Sequence, residues 1–296
     1  MKTRIAIALL LVVVLSSCAC AAINLFHPDK SGDEILKGLI NEKGKKFTLA
    51  SYIDDVTSLD LTYNLYLPEN YSPEEKFPVV FFVADRSSVG KEARFSLTQG
   101  YGALLWPEDC VVISPVYPVT VLDDYNGFVT SEYVELTARF VKYALNTYSI
   151  DRARVYATGQ SMGCMTFLVL AAKYPDMFTA CLFVSGQWDI KELQGLTSQK
   201  LIYVASAGDD KASTGQREVI NIFDKKKVPY LRYDDIDAKS PGIFIPVSQQ
   251  ATFITFKAGT TLPDGTEAGK YSEHMTSFDY AYRMQQLREW LLAQNR

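Results

Sequence analysis

Residues 154–173 read RVYATGQSMGCMTFLVLAAK. Arg154–Thr158 has the composition of a short strand, and Met162–Tyr174 carries one charge, Lys173, near its end. A helix that is apolar nearly all round is a buried one. The remaining sequence supplies the layers to bury it. Pro78–Val83 (PVVFFV) is an unbroken apolar run, as expected of a strand covered on both faces, and Cys110–Ser114 (CVVIS) is another, stopped by Pro115. Leu61–Leu67, Ala180–Ser185, Leu201–Ser206 and Tyr230–Tyr233 also read as strands. Helical periodicity falls on Glu132–Tyr148, Gly215–Lys225 and Thr276–Gln294. Strands alternating with helices imply an α/β fold, with a mostly parallel, doubly wound sheet. The 296 residues suffice for one such domain, and no linker or internal repeat divides it. Residues 234–270 are the least regular stretch and are expected to loop over one edge.

The first 22 residues stand outside this pattern. Lys2 and Arg4 precede an apolar core, Ile5–Leu15, too short to span a bilayer permanently. This is a secretory signal. Leu15-Ser16-Ser17-Cys18 matches a bacterial lipobox, with Cys18 lipidated, whereas Ala19-Cys20-Ala21 fits ordinary signal peptidase. The first reading anchors the mature chain to the cell envelope; the second leaves it periplasmic or secreted. Residues 23–46 then form an N-terminal segment and residues 47–296 the main domain. The formal charge of −4 and the absence of a basic stripe argue against nucleic acid as a partner. Cys110, Cys164 and Cys181 are scattered singly in apolar runs, which fits neither a disulfide framework nor a metal site.

The segment that buries the helix also carries chemistry. Gly159-Gln160-Ser161-Met162-Gly163 joins the strand to the helix. In that setting a G-x-S-x-G string forms a sharp turn that presents the serine, and the helix N-terminus offers N–H groups to a nearby oxyanion. A serine hydroxyl needs a base. The chain has two histidines: His27 lies just past the export segment, and His274 lies in a turn before the last helix. Elimination selects His274. The third member should follow the strand LIYVAS, where Asp209 and Asp210 are adjacent. Either carboxylate can orient the imidazole while the other caps the following helix.

Residues 156–189 (YATGQSMGCMTFLVLAAKYPDMFTACLFVSGQWD) resemble bacterial esterases and peptidases related to polyhydroxybutyrate depolymerases and feruloyl esterases. So do YNLYLPENY at 63–71, GDDKA at 208–212 and SEHMTSFDYAY at 272–282. The resemblance runs from about residue 50 to the C-terminus. It implies an α/β-hydrolase fold, a Ser161–Asp209–His274 triad and no cofactor. Met162 and Arg86 would supply the oxyanion N–H groups, and Gln160 would contact substrate. Gln187 and Trp188 follow the strand Ala180–Ser185, so they should sit at the carboxyl edge of the sheet, where ligands bind; Trp188 either stacks on a substrate ring or plugs the core edge. Two positions depart from the family pattern. Val83-Ala84-Asp85-Arg86 stands where relatives usually carry a His followed by Gly or Asp, and the Asp85 carboxylate beside an oxyanion is unfavourable unless it points away or pairs with Arg86. Cys164 replaces a usual Gly and should pack behind the turn. The implied activity is hydrolysis of carboxylic esters, such as acyl or feruloyl groups on a polysaccharide. The alternatives are a serine peptidase with the same triad and a surface binding protein with a decayed site.

Overall fold

The computed structural model describes residues 33–242, 250–266 and 272–296. The export segment, Cys18 and His27 lie outside the described residues. Helix α1 (Glu34–Glu42) is capped by Asp33 and leads to β1 (Thr48–Ile53) and β2 (Asp60–Tyr66). Strand β3 (Phe77–Val83) and β4 (Val111–Val116) are followed by a small hairpin, β5 (Leu122–Asp123) and β6 (Val129–Thr130). Helix α2 (Tyr133–Thr147), β7 (Ile150–Gln160), α3 (Met162–Lys173), β8 (Ala180–Val184) and β9 (Leu201–Ser206) come next. Helix α4 (Asp210–Lys226), β10 (Leu231–Ile236), β11 (Ala251–Phe256), α5 (Glu273–Arg283) and α6 (Gln285–Leu292) complete the described order.

Nine strands form one sheet in the order β1-β2-β4-β3-β7-β8-β9-β11-β10. Among the described residues of this sheet, only the β1–β2 and β2–β4 pairings are antiparallel. The mostly parallel α/β sheet read from the sequence is therefore present. Strand β3 shows why its sequence is solidly apolar. Val79, Phe81 and Val83 pack into one core, with α2 and α3, while Val80 and Phe82 pack into the other, with α1, α5 and α6. Both faces of the strand are covered, so the ordinary polar alternation is lost. Helix α3 is buried along its length up to Lys173.

Residues 234–270 were expected to loop over an edge. Instead they contribute β11, which pairs with β9 on one side and β10 on the other. ATFITF is β-branched and aromatic, the composition that fits a pleated, enclosed surface. The single closing helix is also corrected. It is two helices, α5 and α6, broken at Met284 with ψ 98°. The break lets Phe278 and Tyr282 of α5 and Leu287, Trp290 and Leu291 of α6 all reach the same core. The Arg288 guanidinium donates to the Tyr282 carbonyl freed there.

The edge hairpin β1–β2 is pinned to α2 by a charge pair. Asp54, fully buried, receives Arg139 Nε at 2.6 Å and Nη2 at 2.7 Å, with Tyr52 Oη and Thr57 also donating. The Arg139 guanidinium, before these other donors, holds the Asp54 carboxyl well below the usual carboxylate range. A depressed folded-state pKa stabilises above the unfolded value, about 3.9 for Asp, and the contribution is lost as pH falls through the folded one. Asp54→Asn is expected to lower unfolding free energy by about 3 kcal/mol at neutral pH. Urea melts across pH should show the deficit shrinking once the pH falls below about 4.

Candidate active site

In open α/β sheets, ligands bind at the carboxyl ends of the strands, where the strand order reverses. Here the reversal lies between β3 and β7: from β3 the chain moves outward to β4, and it later returns to add β7 on the other side. The ends of these two strands carry Ala84-Asp85-Arg86 and Gln160-Ser161. Ser161 sits between β7 and α3 with φ 51° and ψ −116°, a backbone region that is costly for a residue with a Cβ. The surrounding packing enforces it. A Cβ on Gly163 would lie 2.0 Å from the Val83 carbonyl oxygen, and one on Gly159 would lie 2.4 Å from the Gly163 carbonyl carbon. Both glycines of the motif are thus required by close backbone approach. Cys164 fills the space behind the turn, 2.8 Å from where a Gly186 Cβ would stand. Burial pushes its thiol well above the ordinary range, so it is a packing group.

His274 reaches Ser161 from the far end of the chain. Its Nε2 lies 2.8 Å from Ser161 Oγ, and its Nδ1 lies 2.6 Å from Asp209 Oδ2. A carboxylate only accepts, so Nδ1 carries the proton and donates to Asp209. Nε2 is then the acceptor for the Ser161 hydroxyl. Ser272 caps α5 and fixes the first turn through the His274 N–H, and Phe278 meets the imidazole edge-on at 5.1 Å. Asp209 itself caps α4, its Oδ1 accepting from Ala212 N at 3.2 Å. The helix begins at Asp210, five positions before Gly215, where periodicity placed it. One carboxylate therefore does both things that the sequence divided between Asp209 and Asp210. A hydroxyl so placed can attack a carbonyl while the imidazole takes its proton and the carboxylate faces the resulting cation.

The altered loop after β3 has a specific partner. Asp85 is buried, and its Oδ2 accepts from Gln160 Nε2 at 2.7 Å while Oδ1 accepts from Ser87 N at 2.9 Å. Arg86 pairs instead with Asp123, at 3.4 Å. The carboxylate is thus turned inward, and it ties the loop bearing Arg86 to the residue before Ser161. Gln160, expected to touch substrate, is 1% exposed and committed to this contact. Trp188 is likewise 1% exposed, with Phe128 of the hairpin loop lying edge-on at 5.1 Å. Gln160 does not line the cleft, which corrects its expected substrate contact, and of the two readings of Trp188 the buried plug is the one found. A large apolar ring at a strand end is drawn under cover rather than left in a polar opening.

The cleft has a volume of about 250 Å³, and Ser161, Met162, Arg86, Asp209, His274 and Gln187 are among its lining residues. The loop between β5 and β6 forms one wall, through Leu122, Asp124 and Tyr125. Asp124 accepts from the Gln187 amide and pairs with Lys211 at 3.0 Å. Lys211 Nζ also lies 4.2 Å from the Tyr125 ring centre, and the Arg86 guanidinium 5.4 Å from it. Tyr125 nevertheless remains 71% exposed, and Phe128 and Val129 are exposed beside it. The sequence reading missed this wall. Its signal was Asn126-Gly127, a turn dipeptide whose glycine has φ 89°.

The sheet order, the strained serine turn and the position of the cleft are those of an α/β-hydrolase. Residues 56–201, just under half of the chain, match the family model named Esterase. It is 35% identical over 103 residues to feruloyl esterase B of Talaromyces funiculosus, covering 31% of this chain and 29% of that protein. Acetylxylan esterase A of Emericella nidulans is 25% identical over 187 residues, covering 60% of this chain and 55% of that one. The chain thus spans from under a third to about half the length of these relatives. Among solved structures, a thermostable esterase superposes with a TM-score of 0.68 at 19% identity, covering 85% of this chain and 64% of that one. A fluorophosphonate-binding serine hydrolase of Staphylococcus aureus gives 0.55 at 11% identity, covering 83% and 98%. These likenesses carry the fold.

The crowding at the serine turn is directly testable. Gly163→Ala introduces a methyl against the Val83 carbonyl, which is backbone and cannot rotate away. We expect a loss of several kcal/mol, at the high end for single substitutions, or no soluble protein. Thermal melts should place Gly163→Ala far below Gly38→Ala, a site with open space around it.

Proposed function

We propose that this protein hydrolyses carboxylic esters through a Ser161–His274–Asp209 triad. The observation that carries the reading is the continuous hydrogen-bonded path from Ser161 Oγ through His274 to Asp209, opening into the cleft. Ser161 Oγ attacks the ester carbonyl, and His274 Nε2 takes the hydroxyl proton. The new imidazolium keeps its Nδ1–H on Asp209. The tetrahedral oxyanion points to the N–H groups of Met162, at the start of α3, and of Arg86, at the turn after β3. Collapse expels the alkoxide, which receives the proton from Nε2–H, and leaves an acyl group on Ser161. Water, deprotonated by the same imidazole, then releases the carboxylic acid.

Relatives named as feruloyl and acetylxylan esterases support an acylated polysaccharide as substrate. The exposed Tyr125, Phe128 and Val129 at the cleft mouth suit a substrate larger than the 250 Å³ cleft itself. Export with lipidation at Cys18 would place the enzyme at the cell envelope. Among the described residues no helix is long and apolar enough to cross a membrane, so such attachment would rest on the lipid. The inward-turned Asp85 removes the main reason to read the site as decayed. Turnover of aryl esters without turnover of peptide amides separates the esterase from the peptidase reading.

A fluorophosphonate probe should label the wild type at Ser161, and Ser161→Ala should abolish both labelling and aryl-ester turnover. Absence of labelling in folded wild-type protein would reject the proposal. The acid is assigned by comparing Asp209→Asn with Asp210→Asn. Asn keeps the cap on α4 through its Oδ1 and turns an NH2 donor toward His274, so the first variant removes the charge and the acceptor that hold the imidazole's tautomer. Its kcat should fall by roughly 10³ to 10⁴. Asp210→Asn should stay within about threefold of wild type, as a surface substitution.

A further inference from the structure

Glu273 stands immediately before His274, and its carboxylate is not aimed at solvent. Oε2 accepts from Ser206 Oγ at 2.7 Å and from Thr261 Oγ1 at 3.1 Å, and Oε1 accepts from Gly259 N at 2.8 Å. These donors come from two different places. Ser206 ends β9, three residues before Asp209, while Gly259 and Thr261 lie in the turn after β11. The same carboxylate lies against Gly208. A Cβ built there would sit 1.9 Å from Glu273 Oε1 and 2.2 Å from Cδ. Gly208 precedes Asp209. One side chain thus contacts the loop carrying the acid while belonging to the turn carrying the base.

We propose that Glu273 is a positioning residue for the reaction. It sets the distance between the Asp209 and His274 loops, and so the 2.6 Å contact between Asp209 Oδ2 and His274 Nδ1. The physical case rests on leverage. Asp209 and His274 are 65 residues apart in the chain, and they belong to different helices, each held by its own N-terminal cap. The caps fix each loop internally, not one against the other. The hydrogen bond from Ser206 and the contact with Gly208 supply that registration, while Gly259 and Thr261 hold the carboxylate in place for it; hydrogen bonds to a carboxylate are stronger than neutral ones. An orienting group displaced by 1 Å can cost about a hundredfold in rate without unfolding anything. The absence of a side chain at Gly208 is explained in the same way, since any Cβ would evict the carboxylate.

The inference rests on the ester-hydrolase reading for its kinetic arm and not for its spectroscopic arm. In the kinetic arm, Glu273→Ala should lower kcat on an aryl ester by roughly tenfold to a hundredfold with KM nearly unchanged. Glu273→Gln should recover most of the loss, because Oε1 still accepts from Gly259 and the amide can donate to Ser206 or Thr261. Gly208→Ala should lower kcat in the Glu273 background and cost little when combined with Glu273→Ala, where the space is free. This non-additivity is a readout that a general loss of stability would not give. In the spectroscopic arm, the downfield proton resonance of His274 Nδ1–H, identified by its loss in Asp209→Asn, should weaken or vanish in Glu273→Ala. Wild-type kcat and an unchanged resonance in folded Glu273→Ala would overturn the proposal. If Glu273→Ala does not fold, Gly208→Ala alone decides, and an unchanged kcat and resonance in it overturn the proposal equally. A wild type that shows the resonance and turns over no ester would refute the esterase reading while leaving the role of Glu273 to the spectra.

Discussion

Between the end of β3 and the first turn of α3 there is no room for a methyl group. The Val83 carbonyl oxygen lies 2.0 Å from where a Gly163 Cβ would be, and Gly159 is equally closed by the Gly163 carbonyl. This contact of bare backbones draws the helix start down onto the sheet. Ser161, caught at the top of the turn, is forced to φ 51°. Strain of this kind persists only where the surroundings over-determine it. The surroundings here are the fully buried β3, the buried second half of β7 (Val155–Gln160) and a helix with almost no polar side, so the cost of the serine conformation is set against a large part of the core. The reach of His274, the inward turn of Asp85 and the cleft wall all take Ser161 as their reference point.

Around that point the site is assembled from contacts that each tie two loops together. Asp85 and Gln160 join the loop after β3 to the serine turn. Asp124, through Gln187 and Lys211, joins the hairpin to the loops after β8 and β9. Glu273 joins the acid and base segments. None of these polar groups is paired with its nearest neighbour in the chain. Apart from the exposed Lys211, each is buried or half-buried, where an unsatisfied polar group would be costly and a satisfied one rigidifies.

The sequence was most legible where a local pattern and a burial requirement agree. The apolar strands, the buried helix, the strand–turn–helix at Ser161 and the nomination of His274 all rest on patterns of a few residues or on elimination between two histidines. What escaped was decided by partners far away. Strand β11 sits within an irregular stretch, and its place between β9 and β10 is set by pairing rather than by its own alternation. Gln160 looked available to a substrate because its acceptor, Asp85, is 75 residues earlier. For Trp188 the sequence left a stacking platform and a core-edge plug equally open, and the choice is made by Phe128, 60 residues earlier, which covers it. The two aspartates were assigned separate tasks, because a string of letters does not reveal that one carboxylate has two oxygens facing in different directions.

Reliance on distant partners has a consequence in time. Ser161 and His274 are 113 positions apart, and β9 and β11 must both join the sheet edge before Asp209 and the α5 turn stand opposite the serine. Contacts of such separation close late, because loop entropy opposes them until intervening structure has formed. A chain emerging from its N-terminus first would lay down the strained serine turn early and leave it without the His274 contact until α5 had docked. Under the proposed function such a partial chain would be latent, with its hydroxyl no more reactive than any other serine. Competence would arrive only once the turn carrying His274 had docked.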